Sequence, residues 1–171
     1  MAASRFDEFV ARLALLLNET HSPYEGWPME TFKTKLVVAL PESKTMSAET
    51  LWVTSEAGHP GLFKLDNVPV FAYGLALDDI VRAEKREDDR WHFLEVAKPS
   101  GLLTVRVAGL KADASRFEAL LNLLKPVSIA SESYGERYIA YAVKPESFEK
   151  IDKALEELEQ PNILIVEIAN D

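Results

Sequence analysis

The chain has 171 residues, 47% of them hydrophobic, with 28 acidic against 19 basic side chains, a net charge of −9 and no cysteine. That length supports one ample domain or two small ones sharing an interface, with enough apolar content for a core without covalent staples. The missing thiols exclude disulfides, zinc ribbons, iron–sulfur ligation and thiolate nucleophiles, and the acidic balance removes most of the electrostatic drive for binding nucleic acid.

The first segment, MAASRFDEFVARLALLLNET, places Phe6, Phe9, Val10, Leu13, Leu16 and Leu17 at helical spacing, with Ser4 and Asp7 as a capping pair. It reads as an amphipathic helix, and its charges disqualify it as a signal peptide or membrane span. HSPYEGWPMET follows as an ordered linker whose Tyr24 and Trp27 pack back on the body, so residues 1–32 form one N-terminal unit. KTKLVVAL (33–40) is a β-branched strand, PESKTMSA (41–48) a polar loop, and ETLWVTSE (49–56) a strand with Leu51 and Val53 on one face and Trp52 on the other. LFKLD (62–66), then DDIVRAEK and RWHFLEVA around the polar tip REDD, complete a small antiparallel β-barrel or curled sheet over 33–99.

KPSG (98–101) is the seam. Beyond it come strand GLLTVRVAGL, helix ADASRFEALLNLLK, strands PVSIASES and ERYIAYAVK, helix PESFEKIDKALEELEQ and strand PNILIVEIA. That βαββαβ order makes 100–171 a ferredoxin-like half, and the fold class is α+β. Pro145 opens a helix and Pro161 follows one, both positions that tolerate proline.

ETLWV, GLFKLDNVPVFAYGLALDDIVRAE and GLLTVRV carry a resemblance. From Glu49 to the C-terminus the chain resembles an uncharacterised family of bacterial domains known only as a domain of unknown function. The resemblance supplies no catalytic residues. What it implies is an accessory role, of the kind filled by small acidic immunity proteins that neutralise a toxin.

No Walker loop, GxGxxG, GxSxG, HExxH or EF-hand pattern is present. His21, His59 and His92 are read without metal-ligand partners, so no metal and no cofactor is expected. Asp78 and Asp79 are neighbours, which on a strand would point to opposite faces and could not share a proton; turn chemistry accounts for them at less cost. Asp66 and Asn67 read as turn formers, with Asn67 suited to left-handed geometry. Gly74, after Phe71 and Tyr73, marks either a positive-φ bend or a close approach at the edge of a pocket. Tyr134, Arg137, Tyr138 and Tyr141 could stack bases on an exposed sheet face, but the surrounding acidic field opposes it.

The sequence therefore points to a non-catalytic cytoplasmic protein that binds a protein partner. The sharpest form is an immunity protein occluding a basic secreted toxin, such as a nuclease of a type VI or polymorphic toxin system. Its contacts would be an acidic finger of Glu87, Asp88 and Asp89 with Trp91 behind, and a second surface at Glu156 and Glu157. The alternative is a small-molecule-binding regulatory domain, with a pocket between the halves near Phe71, Tyr73, Gly74, Asp78 and Asp79. Neither nucleic acid nor membrane is an expected partner, and the sequence leaves the oligomeric state open.

Overall fold

The computed structural model describes residues 28, 30–110, 114–159 and 163–169. The expected N-terminal helix, with Tyr24 and Trp27, lies outside the described residues.

Five strands close into a barrel: β1 (Lys33–Ala39), β2 (Ala48–Ser55), β3 (Leu62–Leu65), β4 (Ile80–Lys85) and β5 (Trp91–Lys98). Successive strands pair antiparallel, but β5 returns to β1 in parallel, with Leu36 opposite Trp91 and Val37 opposite His92. The small antiparallel barrel or curled sheet expected over 33–99 is a closed barrel, with this one parallel seam added. Five strands joined in alternating directions leave the first and last pointing the same way, so closure has to be parallel.

Alternation fills the barrel, as β2 shows: Leu51 and Val53 are fully buried while Trp52 stands outside. Leu36, Phe63, Leu65, Leu75 and Val81 join them in one core. Trp91 packs on Phe63 with ring centroids 4.9 Å apart, and Phe32 meets the same ring edge-on at 6.1 Å.

The second half comprises β6 (Leu103–Gly109), α1 (Ala114–Leu124), a 3₁₀ turn over Lys125–Val127, β7 (Ser128–Ser133), β8 (Tyr138–Val143), α2 (Pro145–Phe148), α3 (Asp152–Leu158) and β9 (Leu164–Ile168). The strands form one antiparallel sheet in the order β7-β8-β6-β9, a split βαβ arrangement. The continuous helix expected over 145–160 is two pieces. At Ile151 the ladder switches to an i−3 bond, with its N–H donating to the Phe148 carbonyl at 2.9 Å, and its φ of −115° lies well off the usual helical value.

One face of this sheet carries the helices, with Val105, Val107, Tyr141 and Val143 packed against Phe117, Leu120, Leu124 and Leu155. The opposite face is covered by the chain between β3 and β4. Val68, Val70 and Leu77 bury themselves on Ala140 and Ala142, whose small side chains let the backbones approach. Among the described residues no helix is long and apolar enough to cross a membrane.

Candidate functional site

Residues 66–79 leave the barrel, dock on the sheet and return, and polar bonds fix both ends of the excursion. Asp66 accepts from Thr54 Oγ1 at 2.7 Å and pairs with Lys33 at 3.3 Å; Asn67 Oδ1 accepts from the Trp52 amide at 2.8 Å. Neither adopts positive φ. The left-handed non-glycine residue of this segment is Asp78, at φ 65°, where it leans on Lys64 at 3.6 Å.

Asp79 is buried and sits in the turn before β4 rather than on a strand. One carboxylate oxygen accepts from the Ala76 amide at 2.8 Å, and the other from Ser100, in the connection to β6, at 2.7 Å. Both oxygens are engaged in holding backbone. Asp79 thus serves a turn, through an upstream amide and a distant one rather than through the downstream amides expected of an aspartate entering a strand.

Three consecutive amides, Val70, Phe71 and Ala72, donate to the Glu49 carboxylate at 2.8, 3.0 and 2.7 Å. This clamp curls the segment so that Phe71 and Tyr73 face the sheet. Gly74 then turns at φ 69° and donates to the Ala169 carbonyl at 2.8 Å, while Thr104 Oγ1 donates to the Leu75 carbonyl at 2.9 Å. A Cβ at Gly74 would meet nothing within 4 Å, so glycine is needed there for its φ and not for space.

Arg106 occupies the middle of β6, on the covered face of the sheet and 2% exposed. Its Nη2 donates to the Ala72 carbonyl, its Nη1 stands 3.7 Å from Glu167, and its guanidinium lies 4.4 Å over the Tyr73 ring. Nε has no acceptor among the described residues. The Tyr73 hydroxyl donates to Glu167 at 2.6 Å, and this bond chiefly raises the phenol's pKa above its ordinary value. Burial does the same for Tyr138. Both phenols are therefore protonated donors at neutral pH.

These residues wall a cleft of about 470 Å³, formed by Phe71, Tyr73, Arg106 and Tyr138 with the loop from Ala39 to Ser43. Phe71 stacks on Tyr138 at 5.4 Å with 10° between the planes, and Tyr134 meets Phe71 edge-on at 5.0 Å. Of the five pocket residues expected from sequence, the structure brings Phe71 and Tyr73 here. Gly74 and Asp79 line a separate depression with Pro99 and Leu102, and Asp78 is exposed on the turn. Glu49, Arg106 and Glu167 were missed. Arg106 had a signal, since a lone charge in LLTVRVAGL alternates with Val105 and Val107 and so belongs to the face opposite the helices.

The acidic finger is internally paired. Lys85 meets Asp89 at 2.6 Å, Arg86 meets Glu84 at 2.8 Å, and Asp88 takes Arg90 at 2.9 Å and His92 at 3.0 Å. His92 thus has an acidic neighbour four residues back, brought near by the hairpin. The His92 bond, followed by bonds from Arg90, lowers the Asp88 pKa to about 2. Glu87 is exposed without an ion pair among the described residues, and Trp91 turns inward to Phe63. By contrast, segment 146–159 carries six carboxylates against two lysines, all exposed, Glu156 and Glu157 among them. Tyr138 and Tyr141, considered for base stacking, are covered by the 66–79 segment and the helices respectively.

The family defined as a domain of unknown function, DUF4265, matches residues 49–165. A crystal structure of a hypothetical protein from Neisseria gonorrhoeae is similar at 28% identity, over 81% of this chain and 94% of that one, with a TM-score of 0.63. No curated protein matches.

Proposed function

The chain belongs to the DUF4265 family of domains of unknown function, and from that premise we propose that it is a non-catalytic binding protein whose recognition element is the cleft between barrel and sheet. One observation carries this reading: at the junction of the halves, aromatic rings line a cleft with a buried guanidinium whose Nε has no hydrogen-bond acceptor among the described residues. Junctions between packed units are common places for small-molecule sites, which combine apolar walls with a few placed polar groups. The protein would act as a regulatory domain in the cytoplasm, the ligand fastening the 66–79 segment to the sheet. A ligand-observed NMR screen of small aromatic compounds tests it. Compounds that bind the intact protein should lose affinity in Phe71→Ala; a screen whose hits are indifferent to that change would overturn the reading.

A second reading is an immunity-type protein that occludes a basic toxin. The excess of exposed carboxylates over lysines in segment 146–159 supports it, and supports α3 over the internally paired hairpin tip as the contact surface. Association with a basic toxin domain should slow at least tenfold in Glu156→Lys/Glu157→Lys and change little in Asp88→Lys. The opposite ranking would return the contact to the hairpin.

A further inference from the structure

We infer that the cleft takes an uncharged, planar heteroaromatic molecule whose carbonyl or ring-nitrogen acceptor bonds the Arg106 guanidinium. This rests on the reading of the cleft as a binding site and adds what kind of molecule fills it.

The first argument is hydrogen-bond accounting. A guanidinium holds five N–H donors in a rigid fork. Arg106 is 2% exposed, yet among the described residues it has one hydrogen bond, to Ala72, and an ion pair at 3.7 Å that exceeds hydrogen-bond length. Nε is left without an acceptor among the described residues. Buried polar groups are ordinarily satisfied, so a guanidinium with a donor left over favours a ligand that brings an acceptor.

The second is charge. Glu167 already offsets Arg106, and Glu42 stands in the cleft wall. A carboxylate ligand would face Glu42 and compete with Glu167 for the guanidinium, whereas a cationic ligand would be set beside Arg106. An acceptor without net charge avoids both penalties.

The third is shape. Phe71 and Tyr138 stack on each other at 5.4 Å, 10° from parallel, so together they form one aromatic wall, and the Tyr73 ring is held in place by Arg106 on its face and Glu167 at its hydroxyl. Fixed flat walls select a flat occupant through offset stacking, and a cleft of about 470 Å³ has room for two or three fused rings.

The test uses three bicyclic probes of one size, titrated calorimetrically into the full chain: quinolin-2-one (neutral, with a carbonyl acceptor), 2-naphthoate and N-methylquinolinium. Quinolin-2-one should bind at least tenfold tighter than either ion, and Phe71→Ala and Tyr138→Leu should each weaken it at least tenfold, with circular dichroism confirming that both variants are folded. If an ionic probe binds tightest and the cleft variants still abolish it, the site stands and the neutral-ligand inference falls. If no probe binds, or binding ignores both variants, the cleft reading itself fails. Two variants are used because Phe71 also packs on Tyr134, and the loss of one ring could disturb that neighbour.

Discussion

Replacing Glu49 by glutamine keeps its length and removes its charge. In the native chain its carboxylate accepts from Val70, Phe71 and Ala72 at 2.8, 3.0 and 2.7 Å. Hydrogen bonds to a charged group contribute about 1.5–3 kcal/mol each. An amide retains one oxygen, which still serves one or two of these donors, but its NH₂ then faces the remaining N–H. At a half-buried site the expected loss is about 2 kcal/mol, the low end of what one to two charged bonds are worth. With a urea slope of about 2 kcal/mol/M, the midpoint should fall by roughly 1 M. Amide exchange should accelerate at residues 70–72 more than in β6 or β8. A midpoint that drops by less than about 0.2 M, with unchanged protection at those amides, would refute the clamp.

Two glycine substitutions separate strain from crowding. Gly74→Ala should cost about 1–2 kcal/mol through its left-handed φ alone, and no truncation nearby should recover it. Gly109→Ala places a Cβ 2.6 Å from the Phe117 ring, and the resulting overpacking should cost about 1–3 kcal/mol. Urea melts of Gly109→Ala with Phe117→Leu should show partial recovery; independence of the two changes would rule out the crowding account. The Asp88 carboxyl is held below its usual 3.8, at about 2, by His92 first and Arg90 second. A depressed acid contributes stability above its unfolded pKa and loses it as pH falls through the folded one, so the hairpin should loosen between about pH 4 and pH 2. Carboxyl-carbon NMR should find the Asp88 midpoint there and see it rise toward 3.8 in His92→Ala; an unmoved midpoint would assign the shift to other groups.

Much of this architecture is legible in local pattern. Leu51, Trp52 and Val53 declare by alternation which side of β2 faces the barrel. Phe117, Leu120 and Leu124 mark the buried stripe of α1, and Gly74 offers two readings, of which the structure takes the positive-φ bend. What pattern cannot carry is contact at long sequence separation. Glu49 opens a strand and resembles any polar edge residue until residues 70–72 are folded over it. Tyr73 meets Glu167 across 94 positions, and no periodicity couples them. The pairing within the finger is hidden for the same reason: its acidic residues are conspicuous in EDD, while Lys85 and Arg90, which pair with Asp89 and Asp88, acquire meaning only when the hairpin closes.

The docking of residues 66–79 on the sheet also fixes an order of events during synthesis. Val68, Val70 and Leu77 belong to the first half, but the surface that shelters them, including Ala140 and Ala142, is made about 65 residues later. At roughly 5–20 residues per second the ribosome needs several seconds to deliver it. Throughout that interval the nascent barrel displays an apolar strap with no seat, the kind of surface that chaperones hold. A chain stalled between the halves would keep it displayed, making this strap the natural mark of an unfinished molecule.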